Sequence, residues 1–504
     1  MHKKPNIIIF NPDQWRADVM GHLGNPAAHT PNLDAFVAAE AVSFANAFCQ
    51  NPVCTPSRCS FMTGWYPHVR GHRTMFHMLH PEHDEPNLLR ILKENGYFVW
   101  WGGKNDLVPG QDGYEAYCDI HFKPAAADYE RWGCTPREGP HGGDLAWRGE
   151  PSGDNFYSFL KGRLEKGSEP VYCDTDWAMV LGALDFVRGY DGEQPFALYL
   201  PLSYPHPPYC VEEPWYSLID REQLPRRAVA PAGWQGKPAI LQGIAQNQGL
   251  AGWDEARWRE LRAVYYGMCA RLDHQFSLLL EALGDGGHYD DSAIFLFADH
   301  GDFTGDYGLV EKTQNTMEDC LTHVPFIVKP PADRPVQPGI VNALVELVDF
   351  SATVYELAGI EPGYDHFGRS LLPLIAGTTA AHRDAVFCEG GRRRGETQAM
   401  ELDSLAGVPP EEFTGLYGPR LRLQVTDEAP YHTKAAMCRT QTHKYVQRLD
   451  EPDELYDLVQ DPLEEHNLID DPAYQAILNT LRERLLRWYM ETCDVVPYRQ
   501  DRRW

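Results

Sequence analysis

The stretch "NPVCTPSRCSFMTGWYPHVRGHR", Asn51 to Arg73, decides how the rest of the chain is read. Cys54 and Cys59 stand five positions apart, not at the CxxC spacing of a zinc pair, and no further Cys or His pair completes a four-ligand site. A solitary cysteine is ordinarily a small buried hydrophobe. Here Cys54 opens a Pro-Ser-Arg run that suits a strand-to-helix corner, with Pro56 and Ser57 in the first helical turn. A reactive side chain at such a corner would point into the space above a sheet.

Outward from this stretch, short apolar runs bounded by turn residues recur: "NIIIFNPD", "YFVWWGGK", "FALYLPLSYPHPP", "SAIFLFADHGD" and "HVPFIVKPP". Each reads as a strand buried on both faces. Helical patterns lie between them: "TPNLDAFVAAEAVSF", "EPNLLRILKENG", "TDWAMVLGALDFVRGY" and the long "WRELRAVYYGMCARLDHQFSLLLEALGDGG". "VELVDFSATVYELAGIEP" also reads as helical. The alternation predicts an α/β fold, a large mostly parallel sheet sandwiched by helices over residues 1–376. From 377 to 504 short alternating segments and one terminal amphipathic helix predict a smaller α+β subdomain with an antiparallel sheet. In such sheets ligands sit beyond the carboxyl ends of the strands. Asp13, Lys104, His206, Asp299 and His300 each follow an apolar run, so they are expected to converge on one rim. The Gly- and Pro-rich segment 112–169 is expected to form substrate-facing loops.

Composition narrows the function classes. The chain has 504 residues, 43% apolar and 23% charged, which is globular. Its net charge of −27 opposes binding to nucleic acid or to anionic membranes. An anionic small substrate would need a local cluster of cations to offset that field. The N-terminal apolar run, Ile7 to Phe10, falls short of the roughly 7–15 residues of a signal peptide. No run reaches the roughly 18 residues of a membrane span. A cytoplasmic protein with free thiols is therefore expected from its twelve scattered cysteines. Whether it forms a homo-oligomer is left open.

"CTPSR" followed by "TGWYPHVRG" resembles the signature of the type I sulfatases of the alkaline phosphatase superfamily. Successive blocks in the same order extend the resemblance over nearly the whole chain: "PNIIIFNPDQWRAD", "TPNLDAF", "GYFVWWGGK", "YPHPPY", "FADHGDFTGDYGLVEK" and "ELYDLVQDPLEEHNL". The resemblance implies hydrolysis of a sulfate monoester with S–O cleavage. It also implies that a formylglycine-generating enzyme oxidises Cys54 to formylglycine, whose hydrate is the nucleophile. One divalent cation is implied, Ca²⁺ first, with Mn²⁺ or Mg²⁺ as alternatives, held by Asp13, Gln14, the Cys54 position, Asp299 and His300. Arg58 would orient the nucleophile or help hold the cation site, Lys104, His206 and Lys312 would grip the sulfate oxygens, and His206 or Lys312 would protonate the leaving group.

Three positions depart from the family pattern. Gln14 stands where many sulfatases have a second acid, and His300 where many have Asn. Asp106 replaces the histidine of the Gly-Lys-x-His block, leaving Asp106 itself, His72 or His77 as candidates for its base role. "DQWRAD" and the Asp299-His300 pair also resemble phosphonate monoester hydrolases of the same superfamily. A phosphonate monoester or phosphodiester hydrolase using the same nucleophile is therefore the alternative. The His-rich run "RTMFHMLHPEH" lacks the spacing of a zinc helix and reads as surface or loop histidines.

Overall fold

The computed structural model describes residues 3–138, 145–400, 414–425, 429–500 and 502–503. Its main sheet draws on β1 (Asn6–Asp13), β2 (Val42–Phe48), β3 (Phe98–Gly102) and β4 (Ile120–Phe122). A separate two-stranded parallel pair joins β5 (Leu160–Leu164) to β7 (Tyr209–Glu212), and between them in sequence β6 (Phe196–Pro205) returns to the main sheet. The sheet is completed by β8 (Ser292–Phe297), β9 (His323–Val324), β10 (Phe326–Lys329) and β11 (Gly339–Glu346). Its order is β11-β2-β10-β8-β1-β6-β3-β4, with β9 paired to β2. β1, β3, β4, β6 and β8 run parallel, whereas β10 is antiparallel to both β2 and β8. The mostly parallel reading is correct, with two reversed strands, β10 inside the sheet and the short β9 beside β2.

The central strands are buried on both faces because helices cover both. Ile7, Ile8, Ile9 and Phe10 are fully buried, as are Ala293 to Phe297. The 31-residue helix Glu255–Asp285 is started by Asp254, whose carboxylate accepts from Arg257 N, and it buries Phe276 edge-on against Phe10 and Phe36. The helix Leu88–Glu94, which leads into β3, is capped by Asn87, whose side chain accepts from Leu89 N and Arg90 N. Asn87→Ala should cost about 1 kcal/mol of stability, read as a lower midpoint in urea; an unchanged midpoint would show that the cap contributes nothing.

Two helical expectations are corrected. "TPNLDAFVAAEAVSF" is a helix only over Pro31–Ala39 and then becomes β2. "VELVDFSATVYELAGIEP" begins in β11 and is helical only over Asp349–Ala358. In both, a short apolar run buried against neighbours has no period to separate strand from helix.

The C-terminal antiparallel sheet runs β12 (Val386–Gly390), β13 (Ala435–Arg439), β14 (His443–Arg448) and β15 (Glu454–Asp457). The helix Gln475–Thr492 lays Leu478, Leu481, Leu485 and Trp488 on it, at helical spacing, with Trp488 stacked 4.7 Å from Phe387. β13 and β14 in turn send cations into the main layer. Lys444, fully buried, bonds the Met317 carbonyl and pairs with Asp319 and Glu464. All twelve cysteines are free thiols. Among the described residues no helix is long and apolar enough to cross a membrane.

Candidate active site

Cys54 is the first residue of the helix Cys54–Thr63, and Val53 before it is extended. Asn51 holds this corner, accepting from Val53 N at 3.2 Å and donating to the Glu389 carbonyl at 2.7 Å. The whole helix is buried, and Ser57 Oγ donates to the Asp299 carbonyl at 2.6 Å. The corner thereby locks to the end of β8.

Four side chains converge there. The ligand atoms of Asp13, Cys54, Asp299 and His300 all lie within 4.8 Å of one another, and all four residues are buried. Cys54 Sγ is 3.2 Å from His300 Nε2 and 3.5 Å from both Asp13 Oδ1 and Lys104 Nζ. His300 Nδ1 is 2.9 Å from the Gly301 carbonyl, which makes Nδ1 the donor and leaves Nε2 with its lone pair toward the cluster. Burial, offset in part by Asp299, keeps this imidazole below its usual pKa and hence neutral at pH 7.

Arg58 spans the two carboxylates. Its Nη2 lies 2.8 Å from Asp299 Oδ2 and 3.3 Å from Asp13 Oδ2, and its Nη1 donates to Asn11 Oδ1 and Tyr199 OH at 2.9 and 3.2 Å. Lys104 Nζ contacts Asp13 Oδ2 and sits 2.8 Å from Asp106. Burial alone would raise the Asp13 pKa. Lys104, His206, Lys312 and Arg58 outweigh it and hold that carboxyl well below the ordinary range. The Cys54 thiol moves the other way, raised by burial and then by Asp13.

Gln14 is placed one bond outward. Its side-chain oxygen accepts from Lys312 Nζ at 2.7 Å, its amide nitrogen reaches Asp302, and its backbone N–H donates to Asp299 Oδ1 at 3.0 Å. It adopts a φ of +72°, a left-handed conformation that a non-glycine residue holds only under surrounding constraint. Lys312 is buried and kept charged: burial would lower its pKa, but Cys54, Glu311 and Asp13 more than compensate. His206, on a buried Pro-flanked loop, bonds the Pro207 carbonyl through Nδ1 and acts on Asp13 electrostatically. Of the three base candidates, His72 is committed elsewhere, to the His77 carbonyl and Glu85, both at 2.9 Å. His77 is held by Thr74 at 2.6 Å. Asp106 alone joins the cluster, through Lys104.

Several partners escape sequence reasoning. Asn11 lies two positions before Asp13 on the same strand face, so period-two alternation could have found it. Tyr199 shares that kind of signal on β6. Arg420, which pairs with Glu311 at 2.9 Å and donates to the Lys312 carbonyl at 3.1 Å, carries no local signal.

A buried donor set of carboxylates and imidazole, ringed by cations at the carboxyl ends of parallel strands, defines a hydrolase site for an anionic ester. The sulfatase family model matches residues 5–360, and the chain belongs to the sulfatase family, the sulfuric ester hydrolases. It is 26% identical over 530 residues to the multifunctional alkaline phosphatase superfamily protein PehA of Trinickia caryophylli, covering 97% of this chain and 96% of that protein. It is 27% identical over 524 residues to the choline-sulfatase of Rhizobium meliloti, covering 99% and 90%. The crystal structure of the phosphonate monoester hydrolase of Agrobacterium radiobacter superposes with a TM-score of 0.72 at 21% identity, covering 97% of this chain and 96% of that one.

Proposed function

We propose that the chain hydrolyses a sulfate monoester by S–O cleavage, with formylglycine formed at Cys54 and one divalent cation beside it. The observation that carries this reading is the convergence of Cys54, in its "CTPSR" setting, with Asp13, Asp299 and His300. Two carboxylates and a neutral imidazole are a donor set that fits a small divalent cation, the imidazole nitrogen favouring Mn²⁺ over Ca²⁺, whereas the expected ligand Gln14 has its amide oxygen on Lys312 and its nitrogen on Asp302, one bond outside the set. When present, the cation would supply positive charge to the nucleophile and to a sulfate oxygen, and the aldehyde hydrate would supply an oxygen nucleophile whose collapse releases sulfate.

The protein's own groups supply the remainder. Arg58 fixes the two carboxylates so that neither can rotate away from the Cys54 side chain. Lys104 and Lys312 approach from two sides and neutralise charge on the sulfate oxygens as it develops. As an imidazolium, with Nδ1 donating to the Pro207 carbonyl, His206 would give its Nε2 proton to the leaving oxygen. Asp106, through Lys104, takes the proton that the histidine takes in the family pattern.

A second reading rests on Gln14 and His300, which replace the more anionic pair of many sulfatases, and on the likeness to PehA. With fewer negative charges in the cluster, phosphonate monoesters or phosphodiesters would be turned over by the same groups.

Two measurements decide. The Cys54 peptide from protein made with a formylglycine-generating enzyme should be lighter than its unmodified form by about 18 Da and should trap a hydrazide; an intact thiol in active protein would refute the formylglycine route. The ratio of kcat/KM for an aryl sulfate to that for an aryl phosphonate monoester should exceed about tenfold. The reverse ratio would assign the second reading.

A further inference from the structure

We propose that Asp176 is a positioning residue for the leaving-group acid: its carboxylate holds the turn that carries His206, and so holds the imidazole where the leaving oxygen needs its proton. This rests on the ester-hydrolase reading above, with His206 as the acid, and adds the residue that aims it.

β6 runs in step with β1 as far as Leu202, opposite Pro12, but the next pair is Pro205 with Asp13. Ser203 and Tyr204 are therefore extra residues on β6, and the bulge they form takes them out of the ladder. Their N–H groups, buried here, need acceptors elsewhere. Asp176 supplies both: Oδ1 accepts from Ser203 N at 2.9 Å and Oδ2 from Tyr204 N at 2.7 Å. The Ser203 carbonyl then accepts from His206 N at 2.9 Å, which closes a four-residue turn. His206 is buried at the end of that turn, close enough to Asp13 for its charge to help lower that carboxyl's pKa.

Asp176 is itself firmly placed. It sits in the first turn of the helix Thr175–Gly189, which Asp174 caps by accepting from Trp177 N at 2.9 Å. Arg271, fully buried on the long helix Glu255–Asp285, ties that cap to the strand beyond the turn. Its Nη2 donates to Asp174 Oδ1 at 2.6 Å and its Nη1 to Glu212 Oε2, on β7, at 3.1 Å. The same guanidinium lies 4.2 Å from the Tyr204 ring, whose hydroxyl donates to the Cys210 carbonyl at 2.9 Å. The turn is thus held by its backbone from one side and by the Tyr204 side chain from the other. Burial and the neighbouring Asp174 raise the Asp176 pKa, and the two N–H groups and Arg271 oppose them. Burying a carboxylate costs stability. What this one secures is the geometry of a single turn, and a catalytic group displaced by about 1 Å can lose about 10²-fold in rate.

The test is kcat/KM of the full-length, formylglycine-bearing, metal-loaded enzyme on 4-nitrophenyl sulfate and on phenyl sulfate. A nitrophenolate leaves readily without a proton and a phenolate does not, so losing the acid costs more on phenyl sulfate. His206→Ala should raise the nitrophenyl-to-phenyl ratio about 100-fold. Asp176→Asn, which keeps the volume but can accept only one of the two N–H groups, should raise it about tenfold. A loss of folded protein lowers both rates alike and leaves the ratio where it was. With His206→Ala already present, Asp176→Asn should move the ratio by less than about twofold, because it acts through that imidazole. If Asp176→Asn does not fold, Asp176→Ser, which leaves room for a water to meet the two N–H groups, is read the same way. An unchanged ratio in the Asp176 variant, or the same shift with His206 absent, would overturn the proposal. The underlying reading fails separately: an unchanged ratio in His206→Ala removes His206 as the acid, and the role of Asp176 with it. If the wild type hydrolyses only phosphonate monoesters, 4-nitrophenyl and phenyl phenylphosphonate give the same ratio.

Discussion

Cys54→Ala is expected to lower kcat on an aryl sulfate by at least about 10⁴-fold while leaving the protein folded. The expected loss is this large because no neighbouring group can take over. Lys104 and Lys312 are held charged, His300 points Nε2 into the carboxylate cluster, and Asp106 is engaged by Lys104. The fold should survive because the thiol anchors nothing that alanine would strand. Asp13 retains Lys104 and Arg58, and His300 retains its bond to Gly301. Only a small cavity remains, at a cost of about 1 kcal/mol. Steady-state turnover together with a melting curve checks both halves. Residual turnover above about 1% with an unchanged melting profile would remove Cys54 from the mechanism.

What could be read from the sequence follows from which signals are local. Of the five residues expected at the rim, Asp13, Lys104, Asp299 and His300 are found at the cluster, because a parallel sheet delivers its strand ends to one edge, whereas His206 acts on Asp13 through its charge. The antiparallel β10 was not legible. Its residues are buried on both faces like those of its parallel neighbours, and direction is set by the connection from β8 through the short helix Asp319–Thr322, not by pattern. β2 was hidden for a related reason, since "AVSFANAF" continues the apolar texture of the helix before it. The choice among Asp106, His72 and His77 depends on where each side chain's hydrogen bonds go, which no local pattern carries, and His72 spends both nitrogens on the His77 carbonyl and Glu85. Tyr417 and Arg420 are the extreme case. They reach the site from more than a hundred residues downstream of Lys312, through contacts that no short-range pattern records.

Arg58→Met should be the most destabilising single change at the site, by about 3–5 kcal/mol in chelator-treated protein at neutral pH. The guanidinium is fully buried and is the shared counter-ion of Asp13 and Asp299. Without it Asp13 keeps Lys104, but Asp299 keeps only the backbone N–H groups of Gln14 and His300. Asn11 Oδ1 also loses its donor. The pH dependence has a definite sign. In the wild type Asp13 titrates below its unfolded value, so its charge stabilises the fold above about pH 4 and that contribution fades on acidification. Removing Arg58 removes part of that depression and leaves a buried like-charge pair. The gap between variant and wild type should therefore keep its full size above about pH 4 and narrow as the pH falls further, through the range where the Asp13 carboxyl takes up its proton. A divalent cation placed among the same carboxylates would replace the missing charge. Adding Ca²⁺ or Mn²⁺ should then raise the variant's melting temperature more than the wild type's. A variant as stable as the wild type in chelator at pH 7 would show that Arg58 does not hold the two carboxylates together. Equal metal stabilisation of the two proteins would separate the cation from the Asp13–Asp299 pair.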